Sequence, residues 1–386
     1  MQLNPLDPRF AQIPTPALVL DAVALDANIA RMAALAKACK ISLRPHAKAH
    51  KSLVIAQRQC AAGAIGLACA TLAEAEHLMD RQVPHILLTS PLAGEEKCTR
   101  FVALSRRGPI ASVVDDLSEV LRLSALSDGL SLDLAIDVDV GQARTGVIDP
   151  GHAVTLAKQI AALPNLRFVG VQGYAGHAQH LATFEERKKT ARRSAERLRE
   201  VVTALTEAGL KPGFVSGGGT GTANIDMREG PYTDLQVGSY LLMDAEYREI
   251  RDENSEQLPF LQSLYILATV VSTCRAGEIT VDAGTKALAV NGPMPDHLLG
   301  IPAGASYRFW GDEHGTITLP PGTKPPRTGA RILIPATHCD PTVNLHPAYH
   351  VVTNEGPLSI WPIVGRYGWM SSKGESFRFD FDMDRD

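Results

Sequence analysis

The sequence predicts a (β/α)8 TIM barrel followed by a C-terminal β-strand domain, and three observations carry that expectation. Short runs rich in Val, Ile and Leu alternate with amphipathic helical patterns from about residue 22 to residue 260, the signature of β/α units around a parallel sheet. Eight such units can be traced, over a length that suits a closed barrel. After Pro259 the texture changes to strands divided by Pro- and Gly-rich turns, without helical periods between them.

The candidate barrel strands are Ser42 to Pro45, Ala64 to Cys69, His85 to Thr89, Ile110 to Val114, Leu132 to Asp137, Phe168 to Gly173, Gly213 to Ser216 and Leu235 to Gly238. Between them run helical stretches such as DAVALDANIARMAALAKACK, TLAEAEHLMD and the long EERKKTARRSAERLREVVTALTEAG, which Gly209 stops. The competing fold is an open doubly wound sheet, which usually carries a Gly-rich turn after its first strand. Here the first strand runs into PHAKAHK instead. In the second part SLYILATVVSTC, EITVDAG and ARILIPA read as strands. The expected division is residues 22–262 for the barrel and residues 263–386, joined by 1–21, for the β domain.

Composition narrows the classes of function. With 38 basic against 42 acidic side chains the formal charge is −4, which argues against a nucleic-acid partner. No apolar run approaches the roughly 18 residues a membrane span needs. The opening MQLNPLDPRF has neither a secretory nor an organelle pattern, so a cytoplasmic location is the expectation. Six cysteines are scattered singly, without a C-x-x-C pair, so reduced thiols that act as small buried hydrophobes are expected. Arg187, Lys188, Lys189, Arg192 and Arg193 interleave at helical spacing with Glu185, Glu186, Glu196 and Glu200, which reads as a solvated helix face.

In a barrel the chemistry belongs where strands end. The first strand ends in RPHAKAHKS, where Lys48 and Lys51 are both candidates for a Schiff base, because a desolvated lysine can have its pKa lowered enough to act as a nucleophile. Strand alternation does not choose between them. The seventh strand runs into Ser216, Gly217, Gly218, Gly219, Thr220, Gly221 and Thr222, and the eighth into Gly238, Ser239 and Tyr240; such glycines let backbone N–H groups approach an anion. A lysine at strand one facing a phosphate cradle at strands seven and eight suggests pyridoxal phosphate. Arg144 follows strand five, and Tyr174, His177 and His180 follow strand six. Three polar rings in seven residues point to the site. In the β domain His338 and Asp340 flank Cys339, and on an extended segment they would face one side and chelate one ion. An imidazole with a carboxylate suits Mn²⁺ or Mg²⁺ better than a thiolate zinc site.

These residues resemble the pyridoxal phosphate enzymes of the alanine racemase fold, in the branch of the D-threonine aldolases and D-serine dehydratases. The resemblance runs through IPTPALVLD, RPHAKAHK, DVDVGQARTG, GYAGHAQH, SGGGTGT, LQVGSY, DAGTKAL, WGDEHG and PATHCDPTVNL, nearly the whole chain. It implies that Lys48 carries the cofactor, that Arg144 approaches its phenolic oxygen, and that His177 stacks on its ring. It also implies a phosphate cradle of Ser216, Gly218, Gly219 and Thr220 with Gly238, Ser239 and Tyr240. The N-terminal IPTPALVLD would add a strand to the β domain, and the fold implies a homodimer. Where the racemase pattern has arginine beside the pyridine nitrogen, this chain has Gln236. The dehydratases carry His-x-Cys zinc ligands, whereas His338 and Asp340 look like the His-x-Asp of metal-activated aldolases. The expectation is a lyase that cleaves D-3-hydroxy-amino acids to glycine and an aldehyde, with His180 or a metal-bound water as base. The alternatives are a dehydratase of the same family, a racemase and a non-catalytic cofactor carrier.

Overall fold

The structure is a computed structural model that describes residues 3–79 and 82–366. The last twenty residues of the expected β domain, 367–386, and residues 1–2 lie outside the described residues. Strand β1 (Ala17–Asp21) leads into helix α1 (Ala22–Ala38), whose N-terminus is capped by Asp21 through the N–H groups of Val23 and Ala24. Eight β/α units follow: β2 (Ser42–Leu43) and α2 (Leu53–Ala61), β3 (Leu67–Cys69) and α3 (Leu72–Leu78), β4 (Ile86–Leu88) and α4 (Glu95–Ser105), β5 (Ile110–Val114) and α5 (Leu117–Leu126). They continue with β6 (Leu132–Asp137) and α6 (Pro150–Ala162), β7 (Leu166–Gly173) and α7 (Phe184–Glu207), β8 (Phe214–Gly217) and α8 (Ala223–Glu229), β9 (Asp234–Leu235) and α9 (Ala245–Glu249).

The strands pair in parallel in the order β2-β9-β8-β7-β6-β5-β4-β3. The two ends of that row meet, since Ile65 N–H donates to Leu43 O and Ala68 N–H to Pro45 O, each at 2.9 Å. All eight expected strands are present, and the long helix stops at Gly209, whose φ of +77° suits glycine. Side chains on the barrel strands alternate between two cores. Ile110 and Val114 join the large cluster shared with the helices, whereas Leu87, Ala111, Val113 and Ala135 pack together as a separate interior cluster. Above that interior cluster the inward positions turn polar, at Asp137, Gln172, Ser216 and Gln236.

The second sheet contains β10 (Leu264–Ser272), β11 (Glu278–Val281), β12 (Ser306–Phe309), β13 (Gly315–Thr318), β14 (Arg331–Pro335), β15 (Ala348–Val352) and β16 (Ser359–Pro362). The strand β1 lies in the same sheet, antiparallel to β10 and parallel to β15. Between β14 and β15 stands one helix, α10 (Cys339–Leu345). The sequence pattern missed β12, β13, β15 and β16, which are four or five residues long, and it missed α10.

Two surface expectations are corrected. Arg187 is 1% exposed, its guanidinium donating to Leu181 O at 3.0 Å and to Arg251 O, so this member of the basic run is an internal tie rather than part of a solvated face. Arg192 and Arg193 are exposed as expected. All six cysteines are free, but Cys39 and Cys274 are exposed rather than packed as small hydrophobes. Among the described residues no helix is long and apolar enough to cross a membrane.

The barrel mouth and the second sheet meet at Asp244, which is fully buried. One carboxylate oxygen accepts from Tyr247 N–H at 2.9 Å and caps α9, while the other accepts from Cys339 N–H at 2.7 Å at the start of α10. Asp244→Ala removes both acceptors from buried donors and is expected to cost about 3 kcal/mol of stability, measured by urea unfolding against the parent protein.

Candidate active site

The strand β2 ends at the mouth in a 3-10 turn, Ala47–Ala49, that carries Lys48. His46 sets this turn: its Nε2–H donates to Thr89 Oγ1 (3.1 Å), whose own hydroxyl goes to Cys69 O (3.1 Å), so Nδ1 is left to accept Lys48 N–H (3.3 Å). The two candidate lysines separate clearly. Lys51, 8% exposed with φ +49°, is turned back into the protein, where its ammonium pairs with Glu74 and donates to Gly365 O at 3.3 Å. The Lys48 side chain is 41% exposed at the mouth, its Nζ 2.9 Å from Asp340 Oδ2. That carboxylate raises the Lys48 pKa against the effect of burial, with the Tyr174 phenol adding to it. The expectation of a depressed lysine is therefore reversed in the cofactor-free protein, because an anion rather than an apolar wall faces the ammonium.

Below the lysine lies a polar floor that the motif search did not find. Gln172 Nε2 donates to Thr89 O and to Asp137 Oδ1, each at 2.9 Å, and Gln172 Oε1 accepts from Gln236 Nε2 at 3.0 Å. Gln236 Nε2 also donates to Ser216 Oγ at 3.0 Å, and Ser216 donates to Asp234 Oδ1 at 2.5 Å, which Arg44 Nε meets at 3.1 Å. Both protons of the Gln236 amide are committed, and its carbonyl oxygen has no partner among the described residues. The available signal was strand alternation, which puts Asp137, Gln172, Ser216 and Asp234 on inward positions of otherwise apolar strands.

The glycine loop after β8 is braced from outside. A Cβ on Gly219 would stand 2.5 Å from Gln179 Oε1, and one on Gly221 would stand 2.0 Å from Gln179 O. These glycines therefore let the loop lie against Gln179 at least as much as they admit a ligand. Gln179 Oε1 takes Gly221 N–H at 2.9 Å, and Thr222 Oγ1 donates to the buried Asp226, whose carboxyl burial pushes up to about 7. Gly218, at φ +70°, passes close to Asp226. Ser216 faces the floor, Thr220 Oγ1 accepts Tyr240 N–H at 3.0 Å, and the Tyr240 hydroxyl accepts from Gln59 Nε2 at 3.1 Å, inside the protein. The backbone N–H groups of Thr220, Gly238 and Ser239 find no acceptor among the described residues, although all three residues are buried. Buried donors of that kind mark a place for an anion. Gly238 lies against this turn, its hydrogen facing Ala49 Cβ and His46 O.

After β7 the chain splits its polar rings. Tyr174 lies under the exposed Arg144, with the guanidinium carbon 5.8 Å from the ring centroid. His177 is exposed, with Gln142 Oε1 at 3.1 Å from its Nδ1, and the charges that act on it are Asp139 and Arg197. Gln142 also borders Gly176 beside the Tyr174 ring, so His177 lies at the exposed end of the same turn. His180 turns inward, tilted against Tyr247 at 4.5 Å between ring centroids, with Nδ1 buried, unbonded and 3.5 Å from Glu246 Oε1. Burial, then His338, lower its pKa to about 4 despite Asp340. Glu246, absent from the motif reading, comes from α9, and burial raises its carboxyl.

His338 and Asp340 are not on an extended segment. His338 is the residue before α10 and Asp340 is in its first turn. Burial pushes the Asp340 carboxyl up, but Lys48 and then His338 outweigh it and hold it down to about 2. His338 Nδ1 meets Asn291 Nδ2 at 2.9 Å. Cys339 points into the core, 0% exposed, and its thiol is pushed well up by burial. Among the described residues no three His, Cys, Asp or Glu side chains form a metal cluster.

A fold that carries a lysine, a set of unpartnered amides and a polar floor at one barrel mouth defines a class, and sequence comparison agrees. Residues 20–246 match the alanine racemase N-terminal domain, and residues 263–352 match the putative serine dehydratase domain. The chain is 37% identical to D-threonine aldolase of Arthrobacter sp., over 94% of this chain and 95% of that one. It is 36% identical to 3-hydroxy-D-aspartate aldolase of Paracoccus denitrificans (strain Pd 1222), over 92% and 93%. The crystal structure of D-threonine aldolase from Filomicrobium marinum superposes with a TM-score of 0.87 at 35% identity, over 92% of this chain and 96% of that one. The chain belongs to the alanine racemase-fold family of the D-threonine aldolases, a family of carbon–carbon lyases that implies pyridoxal phosphate.

Two measurements follow from this geometry. Lys48→Ala is expected to abolish the visible absorbance of lysine-bound cofactor, while Lys51→Ala leaves Glu74 buried without its cation and costs about 3 to 5 kcal/mol in urea unfolding; an intact absorbance in the Lys48 variant would reverse the two roles. Burial holds His50 at about 3, and His85 and His180 at about 4, all below the ordinary 6.5. The folded protein keeps these rings neutral while the unfolded chain takes protons, so their contribution is complete above about pH 6.5 and declines as pH falls toward 4. The Tm of the cofactor-free protein should therefore be lower at about pH 5 than at about pH 7.

Proposed function

We propose that this protein is a metal-activated, pyridoxal phosphate-dependent aldolase that cleaves D-threonine and related D-3-hydroxy-amino acids to glycine and an aldehyde. One observation carries the reading: Asp340, from the second sheet's helix, stands 2.9 Å from Lys48 Nζ, so a His-x-Asp pair borders the cofactor lysine. Racemisation gives such a pair no task. The residues fit the cofactor, since the unpartnered buried amides of Thr220, Gly238 and Ser239 suit a phosphate and Lys48 opens beside them. Arg144 and Tyr174 would flank it, and Gln236 would offer its carbonyl oxygen where racemases place an arginine. Pyridoxal phosphate, when bound, supplies an electron sink for the carbon left when the Cα–Cβ bond breaks.

The residues also fit a hard divalent ion, Mn²⁺ or Mg²⁺, as a two-donor site on His338 and Asp340. The Lys48 ammonium on Asp340 marks that carboxylate as a cation's partner, and with pyridoxal phosphate held on Lys48 the carboxylate would be free for a metal ion. A metal on His338 Nε2 requires Asn291 to present its amide oxygen to Nδ1, a rotation that keeps the same contact. Such an ion would lower the pKa of the substrate's 3-hydroxyl.

The protein's own groups supply the rest. His180, neutral across the working range, offers a lone pair for the 3-hydroxyl proton, and Glu246 beside its Nδ1 stabilises the imidazolium as it forms. Loss of that proton lets the oxygen's electrons form the aldehyde carbonyl as the Cα–Cβ bond breaks, and a proton returned to Cα gives glycine. The same reading takes the enzyme as a cytoplasmic homodimer.

Incubation of the holoenzyme with D-threonine and Mn²⁺ should give glycine and acetaldehyde, and exhaustive chelation should remove the activity until Mn²⁺ is restored. Formation of 2-oxobutanoate and ammonia would assign a dehydratase, and full activity after chelation would remove the metal from the reading.

A further inference from the structure

Pyridoxal phosphate presents an aldehyde, a phosphate, a phenolic oxygen and a ring nitrogen. Lys48 stands open for the aldehyde, the unpartnered amides of Thr220, Gly238 and Ser239 suit the phosphate, and Arg144 over Tyr174 offers a cation to the phenolic oxygen. The ring nitrogen lies across the ring from the aldehyde carbon, so it points from the lysine toward the polar floor. On that floor Asp137 accepts at both oxygens, from Gln172 and from Thr145, and the Ser216 hydroxyl both donates and accepts. Gln236 Oε1 is the floor atom left without a partner among the described residues. Gln236 is 4% exposed, yet this oxygen is not sealed from solvent.

We propose that Gln236 fixes the cofactor's ring nitrogen in its protonated form, accepting the N–H at Oε1, with Gln172, Ser216 and Asp234 as the positioning residues behind it. The inference rests on the pyridoxal phosphate reading and deepens it. An unprotonated pyridine nitrogen brings a lone pair against the lone pairs of the amide oxygen, so either the amide turns or the nitrogen takes a proton. The amide is held from two sides. Gln172 gives its own N–H bonds to the Thr89 carbonyl and to Asp137, and therefore shows Gln236 an oxygen. Ser216 spends its one hydrogen on Asp234, which Arg44 Nε meets at 3.1 Å, so it too can only accept. Turning Gln236 would set its carbonyl against two acceptors and lose two hydrogen bonds, whereas protonation of the ring loses neither. The charges behind the floor point the same way. Asp234 pairs with Arg44, and His46 on Thr89 is held neutral by burial. Burial raises the Asp137 carboxyl, but Thr145 and Gln172 both donate to it and favour its ionised form, while Asp115 and Arg144 act on it with opposite signs. A protonated ring draws electrons more strongly, which suits a cleavage that leaves its electron pair on carbon.

The test reconstitutes the protein with pyridoxal phosphate carrying nitrogen-15 in its ring and reads the chemical shift of that nitrogen by solid-state NMR, against free pyridoxal phosphate in acid and in base. The wild type at neutral pH should give the shift of a protonated pyridine. Gln236→Met, which keeps the length but removes the acceptor, should give that of an unprotonated one. A second measurement needs no variant. The deaza analogue of pyridoxal phosphate, with carbon in place of the ring nitrogen, keeps the aldehyde and the phosphate but cannot donate, and the wild type should bind it about tenfold less tightly than pyridoxal phosphate. An unprotonated shift in the wild type overturns the assignment, and so does a protonated shift that Gln236→Met leaves unchanged, or equal affinity for the two compounds. Reconstitution that yields no visible absorbance of lysine-bound cofactor would remove the pyridoxal phosphate reading itself, and the assignment with it, which is a different result from a bound cofactor with a bare nitrogen.

Discussion

The architecture of this site depends on one carboxylate that never meets solvent. Asp244 closes the N-terminal ends of two helices from opposite sides, α9 after the last barrel strand and α10 from the second sheet. Each helix is short, five and seven residues, and neither would hold a position alone. Through Asp244 they share an origin, so Glu246 and Tyr247 on one and Asp340 on the other take fixed places around Lys48 and His180. The partial positive charge at the two helix ends compensates a buried carboxylate that has no basic side chain bonded to it among the described residues.

Around that fixed frame the charges are distributed by task. Lys51 and Glu74 neutralise each other inside, and Arg187 ties two loops through their carbonyls. What remains open at the mouth is Lys48 with Asp340, His180 with Glu246, and Arg144 above Tyr174. Histidines add polarity without charge: His46, His50 and His180 are all pushed down by desolvation, and the first two act as hydrogen-bonding rings while His180 keeps its Nδ1 unbonded.

Most of the fold was legible because its signals are long and periodic. All eight barrel strands, and the helices between them, follow from hydrophobic spacing alone. The strands β12, β13, β15 and β16 were not: β2, β3, β4 and β9 are shorter still, but helical periods on either side mark them, whereas the strands of the second sheet lack that regular punctuation. In the site, strand ends led to Lys48, Tyr174, His180 and the glycine loop, because a barrel puts its chemistry there. Local spacing could not reveal Glu246, Asp244 or Asn291, whose neighbours come from distant parts of the chain. It also misjudged the backbone at His338 and Asp340, which read as an extended segment; proline is well tolerated in the first turn of a helix, and α10 starts there. The three polar rings after β7 take different environments, His177 exposed and His180 half-buried against Tyr247, a difference that spacing does not show.

The polar floor has a direction. Thr89 offers a peptide carbonyl, which cannot donate, and this single fact decides which end of the Gln172 amide faces it. Gln172 then dictates the orientation of Gln236, and the last oxygen in the line is left facing outward. Two glutamine side chains, each free to rotate in isolation, thus behave as a polarised wire whose sign is written in the backbone of β4's end. The barrel presents an electron-rich terminus at its centre whatever the protonation of the groups around it, and a ligand atom that settles there must bring a hydrogen of its own.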